Sequence, residues 1–246
     1  MNDLFSGVST AVHPDDEMFR TAKLSIGDDD KALAYHFRSG ARVATAVDQF
    51  LRERGVDPAQ CSILDFACGY GRITRYFAKT FGDVICSDLE PEMLRFVQEI
   101  TGADGFLSNI DLAQVQWPTR QFDVVFSFSL FTHLNPDIWE NWFWTLSDRV
   151  KPDGFLFIST RGTEFARRRG EPIAEGEIVR FAEKNETSGR LNARIYGQTT
   201  LAPSFIDDVL RKQAGRMVRA AYFKGGDFDQ FQDMHILKRF AAASGG

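Results

Sequence analysis

The feature that most constrains the fold of this chain is the stretch ILDFACGYGRITRYF at residues 63–77. A hydrophobic run reaches Asp65, two glycines follow at Gly69 and Gly71, and a segment with helical spacing comes next. Glycines at such a place let the backbone turn tightly and let a ligand approach without meeting a Cβ atom. The stretch therefore predicts a β-strand, a ligand-binding loop and an α-helix in direct succession.

Segments with strand-like and helix-like patterns alternate around this loop. We predict strands at 62–66, 84–87, 105–107, 122–128 and 155–160, with a turn at 151–154 before the last of them. We predict helices at 31–54, at 72–80, from Pro91 to Gly102, from Asn135–Pro136 through Val150, and at 204–213. Such alternation predicts a parallel sheet covered on both faces. The runs 217–223 and 234–240 have no helical segment between them and should pair antiparallel. The predicted fold class is α/β, a Rossmann-like doubly wound sheet, mostly parallel, with a C-terminal antiparallel strand pair.

Two segments lie outside this alternating pattern. Residues 1–55 are predicted to be an N-terminal arm and helix, with a turn at GDDD, residues 27–30, before the helix. Residues 163–200 are polar and are predicted to be an insertion after the fifth strand of a main domain at residues 56–246, with turn signals at Gly170, Gly176, Gly189 and Gly197. We expect the arm and the insertion to form a mobile lid, because flexible polar segments at the ligand end of a sheet often close over substrates.

The composition argues against several kinds of partner. A net charge of -5 and a pI near 5.5 disfavour a nucleic-acid or membrane-surface binder, since phosphate attraction needs clustered positive charge. The basic cluster at residues 167–169 is either a local anion contact or, more commonly, a solvated helix face.

The three cysteines lack paired spacing, so we expect no disulfide and no metal site. No apolar run approaches the ~20 residues that span a bilayer, so we expect a cytoplasmic protein without membrane insertion. The sequence does not decide whether the protein forms a homodimer.

The loop itself narrows the choice of ligand. A nicotinamide-binding loop usually carries a third glycine where this chain has Thr74, and the Gly-Lys-Ser/Thr of a phosphate-binding loop is absent. Asp88, at the end of the second strand, can accept both hydroxyls of a ribose. Asp65 would repel a pyrophosphate but would attract the ammonium group and stabilise the sulfonium of S-adenosylmethionine. The alternative is that Asp65 caps the amides of its own loop.

These segments resemble the class I S-adenosylmethionine-dependent methyltransferases over residues 60–160. LDFACGYGR is similar to the first motif of that family, with Ala67 in place of its first glycine, and SDLEPEML is similar to the acidic second-strand motif. FDVVFSFSLFTHL and RVKPDGFLFISTRG resemble the fourth and fifth strands. The final QDMHILKR resembles the last strand of a subgroup often found with glycosyltransferases, with His235 in place of its usual aromatic residue.

The resemblance implies S-adenosylmethionine as cofactor and a set of cofactor-binding residues. It implies that Asp88 binds the ribose, that Leu89 and Met93 lie near the adenine, and that Asn109 and its neighbour border the adenine. The full set is Asp65, Ala67, Cys68, Gly69, Gly71, Arg72, Asp88, Leu89, Met93, Asn109, Ile110 and Ser127.

The candidate catalytic residue is His133, which follows the fourth strand, where open parallel sheets place their ligands. A histidine there is either the general base for an oxygen acceptor or an anchor for its own loop. Weaker candidates for the acceptor pocket are Tyr35, His36, Arg161 and Tyr196.

The segment after the fourth strand, SFSLFTHL, lacks several marks of other methyltransferase subclasses. It has no Asn/Asp-Pro-Pro-Tyr/Phe, no clustered carboxylates for magnesium and no paired glutamates. The predicted function is therefore metal-independent methyl transfer to a small-molecule, sugar or glycan-precursor acceptor, with oxygen as the expected atom. Two alternatives remain, a binding module without turnover and a nicotinamide oxidoreductase. A thermal-shift screen separates the latter, because a tight cofactor stabilises the native state.

Overall fold

The structure is a computed structural model and describes residues 6–184, 191–228 and 231–241. These residues form two compact units, one up to Pro118 and the other from Thr119 on. The predicted turn signal at Gly189, the first five residues of the predicted arm, and residues 229–230 of the C-terminal connection lie outside the described residues. The division into an arm at 1–55 and a main domain at 56–246 stays a prediction.

The first unit contains helices and a parallel set of strands. In chain order these are α1 (Glu17–Ile26), α2 (Asp29–Arg52), β1 (Ser62–Phe66), α3 (Thr74–Thr80), β2 (Asp83–Asp88), α4 (Pro91–Thr101) and β3 (Asp104–Leu107). β1 pairs parallel with β2, and β2 with β3. The carboxyl ends of β1 and β2 therefore lie at one edge of the sheet, which places Asp65 and Asp88 at that edge.

The second unit continues the alternation and ends in antiparallel strands. Its elements are β4 (Phe122–Ser127), α5 (Pro136–Asp148), β5 (Val150–Thr160), α6 (Thr163–Arg168), β6 (Val179–Ala182), β7 (Gln198–Leu201), α7 (Pro203–Lys212), β8 (Met217–Phe223) and β9 (Asp233–Arg239). β4 and β5 are parallel, whereas β9 pairs antiparallel with both β5 and β8. β6 and β7 form a separate two-stranded antiparallel sheet.

The predicted fold class is confirmed. β1 to β5, β8 and β9 belong to one seven-stranded, mostly parallel sheet, and β8 and β9 are the C-terminal antiparallel pair. β1 and β8 begin and end at the predicted residues, and the ends of the other predicted strands differ by one or two residues except at β5. None of the described helices is long and apolar enough to cross a membrane.

Helix α1 was not predicted from the sequence. Asp16 caps it by accepting a hydrogen bond from the N–H of Phe19 at 3.0 Å. Gly27, in the left-handed region with φ 69°, ends it and donates its N–H to the Lys23 carbonyl at 2.9 Å. Of its residues only Ala22 is buried, and Leu24 is 87% exposed. Its apolar residues therefore do not mark one buried face, and periodicity could not reveal it.

The predicted turn at residues 151–154 is wrong, because these residues lie inside β5. Phe122 stands opposite Val150, but Val124 stands opposite Phe155, so β5 carries extra residues in a bulge. Asp153 in that bulge has φ 64°. Val150 accordingly begins β5 and is not part of the preceding helix. A proline, an aspartate and a glycine indicate an irregular backbone equally well in a bulge and in a turn.

The predicted insertion at 163–200 contains regular structure. α6 lies at its start, and β6 pairs with β7 through Val179 opposite Leu201 and Ala182 opposite Gln198. Each of these strands has only four residues, which is too short for a periodic pattern to stand out. The lid role of the insertion stays a prediction.

Helix α2 fixes the position of the glycine loop in the first unit. A Cβ atom on Gly40 would lie 2.2 Å from the carbonyl oxygen of Arg72 and 3.0 Å from the ring of Tyr76. Beside this contact, the Arg72 guanidinium donates to the Ser39 hydroxyl at 2.9 Å, and the Tyr76 hydroxyl donates to the Phe37 carbonyl at 2.9 Å. The absence of a side chain at position 40 lets the two backbones approach this closely.

We expect Gly40→Ala to lower the free energy of unfolding by about 1 to 3 kcal/mol, the usual cost of overpacking a core. Alanine is better than glycine in a helix by about 1 kcal/mol, but the clash with a backbone oxygen cannot be relieved by a rotamer change. Denaturant unfolding measures the difference. In the reverse change Ala34→Gly, on the exposed face of the same helix, propensity alone should cost about 1 kcal/mol. A Gly40→Ala protein as stable as the wild type would contradict this packing.

Candidate cofactor site

The loop between β1 and α3 runs through several left-handed residues. Ala67, Gly69 and Gly71 have φ angles of 62°, 56° and 70°. A Cβ atom on Gly71 would lie 3.0 Å from the side chain of Val97, whereas one on Gly69 would meet nothing within 4 Å. A glycine is therefore required at position 71 both because a side chain would crowd Val97 and because the backbone is left-handed there. At Gly69 the space beside the backbone is open, so a ligand can approach. At Ala67 the left-handed conformation costs roughly 1 to 2 kcal/mol, which a glycine would avoid.

Asp88, the last residue of β2, holds this loop. Its Oδ2 accepts the N–H of Gly69 at 2.7 Å, and its Oδ1 accepts the N–H of Leu89 at 2.7 Å and that of Glu90 at 3.4 Å. The residue is 8% exposed, and burial raises its pKa although these backbone amides oppose the rise. Oδ2 has one such partner and keeps a second lone pair, so it can still accept a ligand hydroxyl.

Asp65, near the end of β1, is a more deeply buried carboxyl group. It is 3% exposed, and its Oδ2 accepts the hydroxyl of Thr74 at 2.6 Å. Burial raises its pKa to about 7, the charge of Asp88 adds to the rise, and the hydrogen bond from Thr74 and the charge of Arg72 oppose it. Its partner is the Thr74 hydroxyl and not a loop amide, which disfavours the capping alternative.

Together these two carboxyl groups make an edge of the sheet that favours a cation. Both are buried, and the charge on Asp88 makes it harder to ionise Asp65. A positively charged group placed beside them would favour the ionised form of both. An ammonium or sulfonium group has that charge, whereas a pyrophosphate would add a third negative charge.

The residues predicted to lie near an adenine are grouped beside Asp88. Leu89 and Met93 are half-buried at the start of α4. The N–H of Ser108 donates to the Asp88 carbonyl at 2.9 Å, which brings Asn109 and Ile110 next to the end of β2. The side-chain oxygen Oδ1 of Asn109 accepts the N–H of Asp111 at 2.9 Å, so this side chain shapes its own turn.

Comparison with known proteins identifies the domain. Residues 63–154 match the family model described as methyltransferase domain, and this span includes the glycine loop and both carboxyl groups. The sequence of residues 63–154 is therefore similar to that of a methyltransferase domain. Two of the solved structures described next have S-adenosylmethionine or SAH bound.

Solved structures share the fold of the methyltransferase domain. CalS10 from Micromonospora echinaspora, an amino pentose methyltransferase with S-adenosylmethionine bound, is 19% identical, with a TM-score of 0.60 over 84% of this chain and 94% of that chain. A methyltransferase from Clostridium acetobutylicum is 14% identical, with a TM-score of 0.59 over 82% and 92%. The DhpI–SAH complex is 16% identical, with a TM-score of 0.56 over 92% and 97%. At these identities the likeness shows the fold alone.

A curated relative matches a shorter region. The cyclopropane-fatty-acyl-phospholipid synthase of Escherichia coli (strain K12) is 26% identical over 103 residues, which are 42% of this chain and 26% of that protein. The chain thus spans about a quarter of the length of the curated relatives it matches.

Cys68 in the glycine loop of the methyltransferase domain is a structural thiol. Its N–H donates to the Ser87 carbonyl at 3.0 Å, and it packs against a cluster of Cys86, Leu94 and Val97. The hydrogen bond with Cys86, followed by burial, raises the pKa of the Cys68 thiol well above its ordinary value. A thiol held neutral in this way is a poor nucleophile, so its place in the site is one of packing and backbone contact.

Arg75 supports the glycine loop, a role that was not predicted from the sequence. This side chain is 1% exposed, and its Nε donates to the Gly71 carbonyl at 2.9 Å. Its Nη1 donates to the carbonyls of Ser9 and Ala11, each at 2.9 Å, and its Nη2 to that of Tyr70 at 3.4 Å. Arg75 therefore joins the described part of the N-terminal arm to the loop, while the lid role of the arm stays a prediction.

His13 brings a second part of the arm onto the loop. Its ring stacks on that of Tyr70 with centroids 4.5 Å apart. Its Nδ1 accepts the N–H of Asp15 at 3.1 Å, and its Nε2 lies 3.5 Å from a carboxylate oxygen of Glu92. His13, Asp15 and Glu92 are close enough to share a metal ion. However, a neutral His13 that accepts at Nδ1 carries its proton on Nε2, so the nitrogen that faces Glu92 is a hydrogen-bond donor and not a metal ligand.

His36, a weaker candidate from the sequence, lies in α2 beside Asp16. The two side chains are 1% and 3% exposed, and His36 Nε2 is 3.7 Å from Asp16 Oδ2. Burial, aided by the charges of Arg72 and Arg75, lowers the pKa of His36 to about 3, and burial raises that of Asp16. The imidazole is therefore neutral at physiological pH, and this contact is not an ion pair.

In the second unit, Ser127 ends β4 and His133 follows it. Ser127 is fully buried, and its hydroxyl has no hydrogen-bond partner among the described residues. His133 Nδ1 lies 2.8 Å from the Gly197 carbonyl oxygen, and its ring stacks on Tyr196 at 4.6 Å. Because a carbonyl only accepts, Nδ1 carries a proton, and the lone pair of the neutral ring is on Nε2.

His235 is a core residue of β9. It is 1% exposed, its Nε2 forms a hydrogen bond of 3.0 Å with the Thr160 hydroxyl, and its ring lies 4.9 Å from Tyr222. Burial lowers its pKa to about 3, so it is a neutral ring that fills the place of the aromatic residue usual in the resembling subgroup.

We expect the stability of the ligand-free protein to fall with rising pH because of Asp65. Its pKa of about 7 in the folded state lies above its ordinary value of 3.8, so between these values the folded state binds more protons than the unfolded state. The free energy of unfolding therefore falls through this window, by up to a few kcal/mol, and levels off above it. Asp65→Asn should remove this component and be more stable than the wild type above pH ~7.

Denaturant unfolding of the two proteins across this pH range measures the difference. Glu99→Gln, at an exposed position of α4, controls for the loss of one negative charge and should not reproduce the effect. A difference between wild type and Asp65→Asn that stays constant with pH would show that Asp65 ionises as freely in the folded state as in the unfolded one.

Proposed function

We propose that this protein transfers the methyl group of S-adenosylmethionine to a hydroxyl oxygen of a small-molecule, sugar or glycan-precursor acceptor, without a metal ion. The observation that carries the cofactor half of this proposal is the pair of buried carboxyl groups, Asp65 and Asp88, beside the open face of Gly69. The observation that supports the acceptor half is the 2.8 Å contact between His133 Nδ1 and the Gly197 carbonyl oxygen.

Each predicted cofactor residue has a proposed role. Asp65 attracts the ammonium group and sulfonium, and Asp88 accepts ribose hydroxyls through the lone pair that Oδ2 keeps. Arg72 faces the methionine carboxylate, while Leu89, Met93 and Ile110 provide apolar contacts to the adenine. The other members of the set in the first unit shape the backbone around the cofactor: Ala67, Cys68, Gly69, Gly71 and Asn109. For Ser127, in the second unit, a role in cofactor binding stays a prediction.

The reaction is an in-line displacement. The acceptor oxygen attacks the methyl carbon, the bond between carbon and sulfur breaks, and sulfur leaves as the neutral thioether of S-adenosylhomocysteine. Holding the two reactants in line contributes on the order of 7 to 11 kcal/mol for well-oriented groups. The hydroxyl proton must leave during the reaction, which is the task of a base.

We propose that Nε2 of His133 takes that proton. The hydrogen bond from Nδ1 to the Gly197 carbonyl fixes the tautomer with its lone pair on Nε2, and the Tyr196 ring fixes the plane of the imidazole. The charged imidazolium formed by proton uptake is stabilised by the same carbonyl, because Nδ1–H then donates from a positive ring. The two roles open from the sequence, base and loop anchor, thus combine in one side chain.

Two further observations bear on the acceptor and on the metal. CalS10, which shares the fold, is described as an amino pentose methyltransferase, which supports a sugar as one acceptor class. Within the described chain, the one group of side chains close enough to share a metal ion is His13, Asp15 and Glu92, and the proton on His13 Nε2 opposes ligation there.

We expect His133→Asn to lower turnover by roughly 10²- to 10⁴-fold, the usual contribution of general base catalysis. The asparagine amide can replace Nδ1–H as donor to Gly197 and so keep the loop in place, but it has no equivalent of the Nε2 lone pair. Affinity for S-adenosylmethionine should be nearly unchanged. The wild-type rate should rise with pH as the base loses its proton, and the variant should lose this pH dependence. Steady-state kinetics measures turnover and its pH dependence, and calorimetry measures the affinity for S-adenosylmethionine.

A second variant separates chemistry from anchoring. Tyr196→Leu removes the stacked ring but leaves the base, so it should alter turnover far less than His133→Asn and retain the pH-dependent limb. If His133→Asn keeps wild-type turnover and an unchanged pH profile, His133 is not the base.

A further inference from the structure

A cavity of about 200 Å³ lies in the second unit, at the carboxyl end of β5. β5 ends at Thr160, opposite Asp233 at the start of β9, so α6 and the connection from β8 to β9 both leave the sheet at this end. The cavity is lined by Glu164, Phe165, Arg168, Arg169, Gly225 and Phe231. In open α/β sheets this is the end at which ligands bind.

Positive charge is concentrated around the cavity. The guanidinium groups of Arg161 and Arg169 lie 5.3 and 5.8 Å from the centre of the Phe165 ring. Arg167 and Arg168 both donate to the single carboxylate of Glu164, and these hydrogen bonds lower the pKa of Glu164 to about 2. The negative charge of one carboxylate is thus shared by two positively charged arginines.

The surrounding sequence does not neutralise this charge. Residues 161–171 contain four arginines and two glutamates, and residues 224–227 add one lysine and one aspartate, so cations outnumber anions by two. Asp233, which is 2% exposed, accepts the Tyr222 hydroxyl and the Gly225 N–H, and burial raises its pKa. If Asp233 is also counted as an anion, cations still outnumber anions by one.

The apolar part of the lining consists of aromatic rings. Phe165 has two guanidinium groups within 6 Å of its ring centre, and Phe231 is 48% exposed. Arginine presents a planar fork that matches a carboxylate or a phosphate, and an aromatic ring beside it favours a flat or apolar portion of the same ligand. Since pockets for whole drug-sized ligands measure ~300 to 1,000 Å³, this cavity fits one substituent of a larger molecule.

We propose that this cavity binds an anionic group of the methyl acceptor, a carboxylate or a phosphate, together with the ring that carries it. The acceptor class is thereby narrowed to ring-containing acids and phosphate esters. The assignment to the acceptor rests on the function proposed above, whereas binding of the anion can be tested without methyl transfer.

The test is calorimetric or NMR titration of the full chain with phenyl phosphate, benzoate and uncharged benzyl alcohol. Both anions should bind with dissociation constants on the order of 1 mM, and benzyl alcohol should bind at least about tenfold more weakly. Arg169→Gln should weaken binding of both anions by at least about tenfold. Whichever of phenyl phosphate and benzoate binds more tightly indicates whether the acceptor carries a phosphate or a carboxylate.

Arg167→Gln is the matched control. It removes the same charge from the same region, but Arg167 is not part of the lining, so anion affinity should change less than about threefold. If Arg169→Gln fails to fold, Arg169→Lys keeps the charge without the fork and should give an intermediate loss. Absence of anion binding at about 10 mM, or equal losses in Arg167→Gln and Arg169→Gln, would overturn the inference.

The outcomes for this cavity and for the proposed function are separable. If the anions bind at the cavity but no acceptor is methylated, the proposed function fails and the cavity remains an anion site. If methyl transfer occurs but the anions do not bind, the cavity is not the acceptor subsite and the proposed function stands.

Discussion

The hydrogen bond from the Gly69 N–H to the Asp88 carboxylate is the interaction on which the cofactor site depends. It joins the loop that follows β1 to the end of β2 at 2.7 Å. Hydrogen bonds to charged groups contribute about 1.5 to 3 kcal/mol, enough to offset the cost of the left-handed conformation at Ala67. Arg75 holds the other side of the loop through the carbonyls of Tyr70 and Gly71. The loop is thus fixed from both sides before any ligand arrives, which lowers the entropic cost of binding.

The second constraint is the cost of burying Asp65. Asparagine would fill the same space without an ionisation cost, so a carboxyl group with a pKa near 7 at this position lowers stability unless a cation compensates it. Thr74, which occupies the place of a third glycine, donates its hydroxyl to this carboxyl. Thr74, which argues against a nicotinamide-binding loop, therefore also helps to hold Asp65, the carboxyl group that favours a sulfonium cofactor. Stability lost to a binding group is a common feature of functional sites.

The parts of the fold and site that the sequence predicted are those with strong local signals. β1 and β8 are apolar or half-apolar runs with clear ends, and the glycine pair and the two aspartates follow strands directly, so their meeting at one edge follows from parallel pairing. Arg75 could not be predicted, because its role depends on carbonyls of Ser9 and Ala11 that are more than 60 residues away. Helix α1 was missed because its apolar residues do not mark one buried face, and the bulge in β5 because its residues indicate a turn equally well. Strands β6 and β7 were missed because four residues are too few for a periodic pattern to stand out.

The measurement that tests the central claim most directly is the number of protons released when S-adenosylmethionine binds. Calorimetry at pH ~6 in buffers of different ionisation enthalpy gives this number. At that pH most Asp65 side chains are protonated, since the pKa is about 7, and a cation beside them would drive ionisation. We predict release of close to one proton by the wild type and little by Asp65→Asn, with weaker binding by the variant. Equal proton release and equal affinity in the two proteins would contradict the claim that Asp65 faces the charged part of the cofactor.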